Sequence, residues 1–137
     1  NVWQIAMMCE CIIIPTSLSW ADLRPTVEFV REMDERKESS GSVTPHLIIV
    51  PNRIPPAQRD LSAISKILEG LNVVLAPPLS DLSLVRQMSG EFKGLGEAKG
   101  TRFYTEFERL GDFIRDYVLS GKLSQMFEAE LQNSGSI

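Results

Sequence analysis

Asn52 and Arg53 follow an apolar run, Leu47-Ile48-Ile49-Val50-Pro51, and precede the turn residues Ile54-Pro55-Pro56. A side-chain amide offers both donors and an acceptor, so it can read a ligand edge that carries both. Two other places in the chain are built alike. Ile12-Ile13-Ile14 ends in Pro15-Thr16, and Val73-Val74-Leu75-Ala76 ends in Pro77-Pro78. Continuous apolar runs closed by turn residues read as strands buried on both faces. In open α/β sheets a ligand binds outside the carboxyl ends of the strands. Function is therefore to be sought at Thr16, Asn52 and Pro77. Each has a local role available too: Asn52 can close its strand with an Asx-turn, and the prolines are ordinary loop residues.

Other reactive side chains carry less. Cys9 and Cys11 sit two apart beside a strand, where burial is the ordinary fate of free cysteine. The chain has only these two cysteines, which form no disulfide framework and fit a reducing compartment. His46, the one histidine, has no acid or cysteine near it in sequence, so neither a metal site nor a Ser-His-Asp or Cys-His arrangement is arguable. Gly94-Leu95-Gly96 lacks the third glycine of a dinucleotide loop and any GK[ST], and reads as a surface loop. Arg53, Arg59, Arg86, Lys93, Lys99 and Arg102 are loop and helix-start cations, expected to be a solvated scatter rather than a phosphate-binding cluster. Asp22 and Arg24 read as a surface ion pair.

These residues need elements to position them. Val2, Ile5, Ala6 and Cys9 are spaced as one apolar face of a helix over residues 1–10, with Trp3 and the Met7-Met8 pair packing. A strand at 11–15 follows. Ser19, with Asp22 three residues on, resembles a capping box. Pro25 then predicts either a kink or a helix that starts there. Val27, Val30 and Met33 or Phe29 give its buried stripe. Asp34-Glu35-Arg36-Lys37-Glu38 reads as a solvated helix end, and Ser39-Ser40-Gly41-Ser42 as a loop. After the strand at 46–51, a helix over 57–69 turns Leu61, Ile64, Ile67 and Leu68 inward and ends at Gly70. A strand at 73–76 follows. A short helix from Ser80 through Met88 buries Leu82, Val85 and Leu84. Thr101 caps a last long helix with Phe103, Phe107, Leu110, Phe113 or Ile114, and Tyr117 at helical spacing. Leu123, Met126, Phe127 and Leu131 suggest a further short helix, and Asn133 to Ile137 a loose end. The expected fold is α/β: a partial three-layer sandwich, a parallel sheet of about three strands flanked by helices, plus a C-terminal helical segment.

At 137 residues the chain is one domain by length, and 43% hydrophobic content is enough for a core. A net charge of −4 argues against a generally adhesive DNA or membrane binder, though not against a local basic patch. No apolar run approaches the ~18 residues of a membrane span, and no signal peptide is evident. The chain starts at Asn1, already within a helix pattern, and is expected to be the remainder of something longer.

The stretch Cys9-Glu10-Cys11-Ile12-Ile13-Ile14-Pro15-Thr16-Ser17-Leu18-Ser19-Trp20-Ala21-Asp22-Leu23-Arg24 resembles the segment of ParA/MinD-type ATPases that follows switch II. Leu47 to Pro56 resembles that family's next strand and its N-R-(I/V)-P loop. Val73 to Leu79 resembles its last strand, and Arg86 onward its C-terminal helical part. The resemblance spans nearly the whole chain and about half of a ParA-like protein. It departs at Glu10, where the family often has Asp, and in lacking a clear arginine-tyrosine pair after Leu79.

The resemblance implies a C-terminal half of a SIMIBI-class P-loop ATPase with a deviant Walker A loop. The phosphate-binding N-terminal half, with its lysines and its magnesium-binding aspartates, has no counterpart here, since no GK[ST] occurs. The intact parent would bind ATP and Mg²⁺, dimerise around nucleotide, and serve plasmid or chromosome partitioning or intracellular positioning. This half alone should not hydrolyse ATP. On the resemblance, Asn52 of the Asn52-Arg53 pair reads the adenine edge, whose N6 and N7 call for a donor and an acceptor. Pro77, Pro78 and Leu79 pack on the adenine face. Implied partners are ATP or ADP, a second copy, non-specific DNA, and a centromere-binding or cargo adaptor protein. Residues 123–131 carry Glu128 and Glu130 and lack the basic amphipathic character of MinD-like membrane helices, so no membrane is expected and the location is cytoplasmic. The alternative is a free-standing α/β interaction module without nucleotide chemistry.

Overall fold

Three parallel strands set the frame, β1 (Cys11–Thr16), β2 (His46–Pro51) and β3 (Val74–Leu75), lying side by side in that order. Cys11 to Thr16 pair in register with His46 to Pro51, and Ile48 and Ile49 with Val74 and Leu75. The structure is a computed structural model that describes residues 1–58, 60–91 and 93–134, with side chains to residue 121 apart from Ser83 and Leu84. The helices are α1 (Val2–Met7), α2 (Trp20–Ser40), α3 (Ser62–Ile67), α4 (Ser83–Gly90) and α5 (Arg102–Ser134), with a 3-10 turn at Leu95–Ala98. The expected α/β fold is the observed one.

β2 lies at the centre because Leu47 to Val50 are apolar on both faces. Strand side chains alternate between faces. Leu47 and Ile49 join Val27, Val30 and Met33 of α2 and Ile64 of α3, while Ile48 and Val50 meet Ala76 and Leu110 under α5. Burying each of these strand side chains contributes about 1.5–3 kcal/mol.

Burial on both faces holds for β2 and fails for β1. Ile13 is 47% exposed. Ile12 and Ile14 pack toward α2, but the opposite cluster reaches β1 only at Cys11.

α2 is continuous through Pro25. The lost N–H falls in the second turn, and Ser19 Oγ accepts from Ala21 N–H at 3.2 Å. Asp22 does not complete a capping box with Ser19; its carboxylate accepts from Ser17 Oγ at 2.5 Å. Arg24 pairs with Glu28 at 3.3 Å, not with Asp22. The helix runs past the charge cluster to Ser40 and ends at Gly41, whose φ of +70° is the left-handed conformation that glycine adopts freely. Lys37 there is 5% exposed, so it is not part of a solvated end. Burial lowers its pKa, with Asp34 opposing that shift.

α1 also differs from expectation. Ala6 is buried, and Trp3 stacks on Phe29 at 5.3 Å under Arg36. Met7 packs with them. Val2, Ile5 and Met8 are 71%, 65% and 85% exposed. Apolar residues lie on nearly every side of this helix, so spacing alone selects no inward face. α3 begins at Ser62, later than position 57, with Asp60 Oδ1 accepting from Ser62 N–H at 3.0 Å. Of the expected inward residues, Ile64 and Leu68 are buried and Ile67 packs against the same cluster, whereas Leu61, just before the helix, is half-buried and belongs to neither cluster. α5 is one helix to Ser134 with no break before a separate short one, and Thr101 Oγ1 accepts from Tyr104 N–H at 3.3 Å. The readings at Arg59, Leu84, Leu123, Met126, Phe127, Glu128, Glu130 and Leu131 concern side chains or residues outside those described; of the end expected to be loose, Asn133 and Ser134 are the last residues of α5 and the rest lies outside.

Candidate functional site at the carboxyl ends of the strands

The chain leaves β2 at Pro51 and turns through Asn52 and Arg53. Asn52 N–H donates to the Thr16 carbonyl at 2.8 Å, which ties the turn to the end of β1. Asn52 Oδ1 accepts from Arg53 N–H at 3.0 Å. Arg53 has a φ of +57°, the left-handed region that a residue with a side chain rarely adopts. Such strain persists where surrounding structure imposes it, and it gathers at ligand sites.

Two ladders hold the turn against the segment after β3. Leu79 N–H donates to the Pro51 carbonyl at 2.8 Å, and Ile54 N–H to the Leu79 carbonyl at 3.0 Å. Asp81 N–H donates to the Ile54 carbonyl at 2.9 Å, and Ile54 forms a parallel bridge with Ser80. The sheet thus continues past its regular strands as a two-loop ribbon.

Between this ribbon and α4 lies a cleft of about 520 Å³, lined by Asn52, Arg53, Ser80, Asp81, Leu82, Val85, Arg86 and Ser89. Its volume is within the range of small-molecule sites. Arg86 pairs with Asp81 at 2.6 Å. Arg53 has no acidic partner among the described residues. The cleft wall thus carries two guanidiniums and one carboxylate beside an amide and hydroxyls. Leu82 and Val85 supply apolar surface.

Glu106 of α5 fixes the cleft from behind. It is 8% exposed and accepts from Ser80 N–H at 3.0 Å and Ser80 Oγ at 2.6 Å. Arg102 Nε lies 3.7 Å from Glu106 Oε2, the oxygen that accepts from Ser80 Oγ.

The expected residues separate here. Asn52 and Arg53 meet at the cleft. Pro77, Pro78 and Leu79 do not line it; they are half-buried, and Leu79 packs inward near Leu110. Thr16 is 4% exposed and serves the turn through its carbonyl. Of the described cations, Lys93 pairs with Glu91 at 2.8 Å and Arg102 with Glu106, while Arg53 and Arg86 line the cleft together. His46 lies edge-on to Tyr117 at 5.7 Å, at the opposite end of the sheet. Among the described residues no three His, Cys, Asp or Glu side chains come together as metal ligands.

Ser80, Asp81 and Glu106 were missed as site residues. The carboxyl-end rule that selects Asn52 also reaches Ser80 and Asp81, if the chain is followed past Pro77-Pro78-Leu79 beyond the last strand. Nothing in the sequence marks Glu106.

Compared with known proteins, the chain matches no family model, no curated protein and no solved structure.

Proposed function

We propose that this chain forms the base-binding side of an ATP site of the ParA/MinD type, within an ATPase that partitions DNA or positions a complex. The observation that carries this is the position of Asn52: its amide stands at the carboxyl end of the central strand, on the wall of a cleft of suitable size. Its Oδ1 keeps one lone pair after bonding Arg53 N–H, and its Nδ2 has both donors available among the described residues. An adenine edge needs one acceptor and one donor. Leu82 and Val85 give the base a surface to lie on. The residues present fit a base better than a triphosphate. A phosphate cradle needs successive backbone N–H groups and a lysine, and no GK[ST] occurs. ATP, when bound with Mg²⁺ by the intact parent, would bring the reactive phosphates to a part of the site outside this chain. Homodimerisation around nucleotide, DNA binding and a cargo adaptor follow from the resemblance alone.

Fluorescence polarisation with an N-methylanthraniloyl-ADP probe tests this. The chain is expected to bind it weakly, and Asn52→Ala to weaken binding about tenfold, equivalent to ~1.4 kcal/mol. Equal binding by wild type and Asn52→Ala, or none by either, would overturn the reading. ATP turnover that survives repurification would also contradict it.

A further inference from the structure

A cavity of about 530 Å³ lies at the amino ends of the strands, away from the Asn52 cleft. The last turns of α2 give it Asp34, Lys37 and Glu38, the head of β2 gives His46, and α5 gives Tyr117. Among the described residues nothing before Asp34 contributes to its walls, so they are independent of α1 and β1. A Cβ at Gly121 would lie 3.3 Å from His46 Nε2, so glycine lets α5 pass close to the ring.

Lys37 sets this cavity apart from an ordinary surface hollow. The residue is 5% exposed, and among the described residues its Nζ has neither a hydrogen bond nor an ion pair. No buried side-chain nitrogen or oxygen there lacks a partner, so Nζ carries the little exposure that Lys37 keeps. The cavity is the surface that Lys37 borders. A charge withdrawn from water and left unpaired calls for a counter-charge. Asp34 is its neighbour at i, i+3 on the helix but does not close on it. Asp34 Oδ2 accepts from Asn72 N–H at 3.2 Å, and its attraction for the ammonium is outweighed by burial.

We propose that this cavity receives a small zwitterion of the amino-acid class, its carboxylate on Lys37 and its ammonium toward Asp34 and Glu38. The charges of the wall select both ends. A carboxylate supplies the acceptors that Lys37 Nζ lacks. Once Lys37 is matched, Asp34 and Glu38 leave two negative charges on the same wall. These repel a simple anion, and a phosphate dianion most. An ammonium beside the carboxylate turns that repulsion into attraction. The side chain of the ligand meets His46 and Tyr117, which stand edge to face at 5.7 Å, and the apolar Val43. Such a surface suits an aromatic ring. Burial, and secondarily Cys11, raises the Tyr117 pKa, so the phenol remains a donor. This site is independent of the nucleotide reading, since His46 and Asn52 lie at opposite ends of β2.

The test uses the one histidine of the chain, whose ring gives a single set of NMR signals beside the cavity. Titration of the 137-residue chain with L-phenylalanine is expected to shift the His46 signals saturably in the millimolar range. Phenylacetate has the carboxylate alone and phenethylamine the ammonium alone; each should bind about tenfold more weakly. Lys37→Met and Glu38→Gln should each weaken phenylalanine binding about tenfold, with unchanged circular dichroism. Lys66→Met, at an exposed position of α3, should leave it unchanged. The absence of a saturable shift overturns the proposal, as does equal binding by wild type and Lys37→Met. Phenylacetate bound as tightly as phenylalanine, or displacement of phenylalanine by inorganic phosphate, overturns the zwitterion in favour of a simple anion.

Discussion

Glu106 holds Ser80 by two hydrogen bonds at once, accepting from the backbone N–H at 3.0 Å and the hydroxyl at 2.6 Å. A carboxylate accepts both; an amide offers an acceptor at only one of its two atoms. Hydrogen bonds to charged groups contribute about 1.5–3 kcal/mol. Glu106→Gln should therefore cost about 2 kcal/mol in urea unfolding, and Ser80→Ala less, since it retains the backbone donor. Any adenine-nucleotide affinity should fall in Glu106→Gln without a change in the fold. A variant as stable as wild type would show the clamp to be idle.

Arg53→Gly separates strain from function. The left-handed conformation costs a residue with a side chain roughly 1–2 kcal/mol, and glycine returns about 0.4–1 kcal/mol of this through its freer unfolded chain. A net gain of up to about 1 kcal/mol is expected by thermal unfolding, together with weaker nucleotide binding if the guanidinium contributes. Destabilisation would mean that the Arg53 side chain supports the loop.

Lys37 should respond to pH in the direction set by its lowered pKa. The unfolded chain holds this proton more tightly than the folded one. Stability is therefore reduced while the folded amine is protonated, and recovers as pH rises through the folded pKa toward the ordinary 10.5. Lys37→Met keeps the packed stem and removes the charge. It should raise stability at neutral pH by on the order of 1 kcal/mol, and the advantage should shrink as pH approaches 10.5. A gap that stays constant with pH would contradict this.

Cys11 gives the opposite sign. Burial, and secondarily Cys9, raises its pKa above 9.0. The folded state keeps the thiol protonated where the unfolded state has lost it, so its contribution is intact below pH 9.0 and lost as pH climbs through the folded value. The thiolate is the nucleophile. Cys11 in the folded chain should be alkylated by iodoacetamide at pH 8 more slowly than after denaturation, as read by mass spectrometry of the peptide. Equal rates would refute the shift.

Much of the frame was legible because it rests on local pattern. The apolar run Leu47 to Val50 announces a doubly covered strand, and Val27, Val30 and Met33 announce the face that α2 turns to it. The rest depends on what lies across the fold. Ile13 has the composition of a buried residue and the neighbourhood of an edge. Lys37 hides in a charge run, because burial of one turn depends on Asp34 and the loop around Asn72, where Asn72 N–H donates to Asp34 at 3.2 Å. Glu106 is 26 residues from Ser80 and occupies an ordinary polar position of its helix. Asn52 could be read from its place at a strand end; its neighbours across the cleft could not be read until the ribbon joined them.

That ribbon has a consequence for how a ligand would be received. Ile54, Leu79 and Asp81 give their amide protons to carbonyls of the facing segment, so the two loops rise and fall together. Their amides should exchange with deuterium as slowly as those of the strands they prolong. The wall that carries Asn52 and Asp81 is ordered when the chain folds, and an incoming molecule meets it already assembled, with little loop entropy left to surrender.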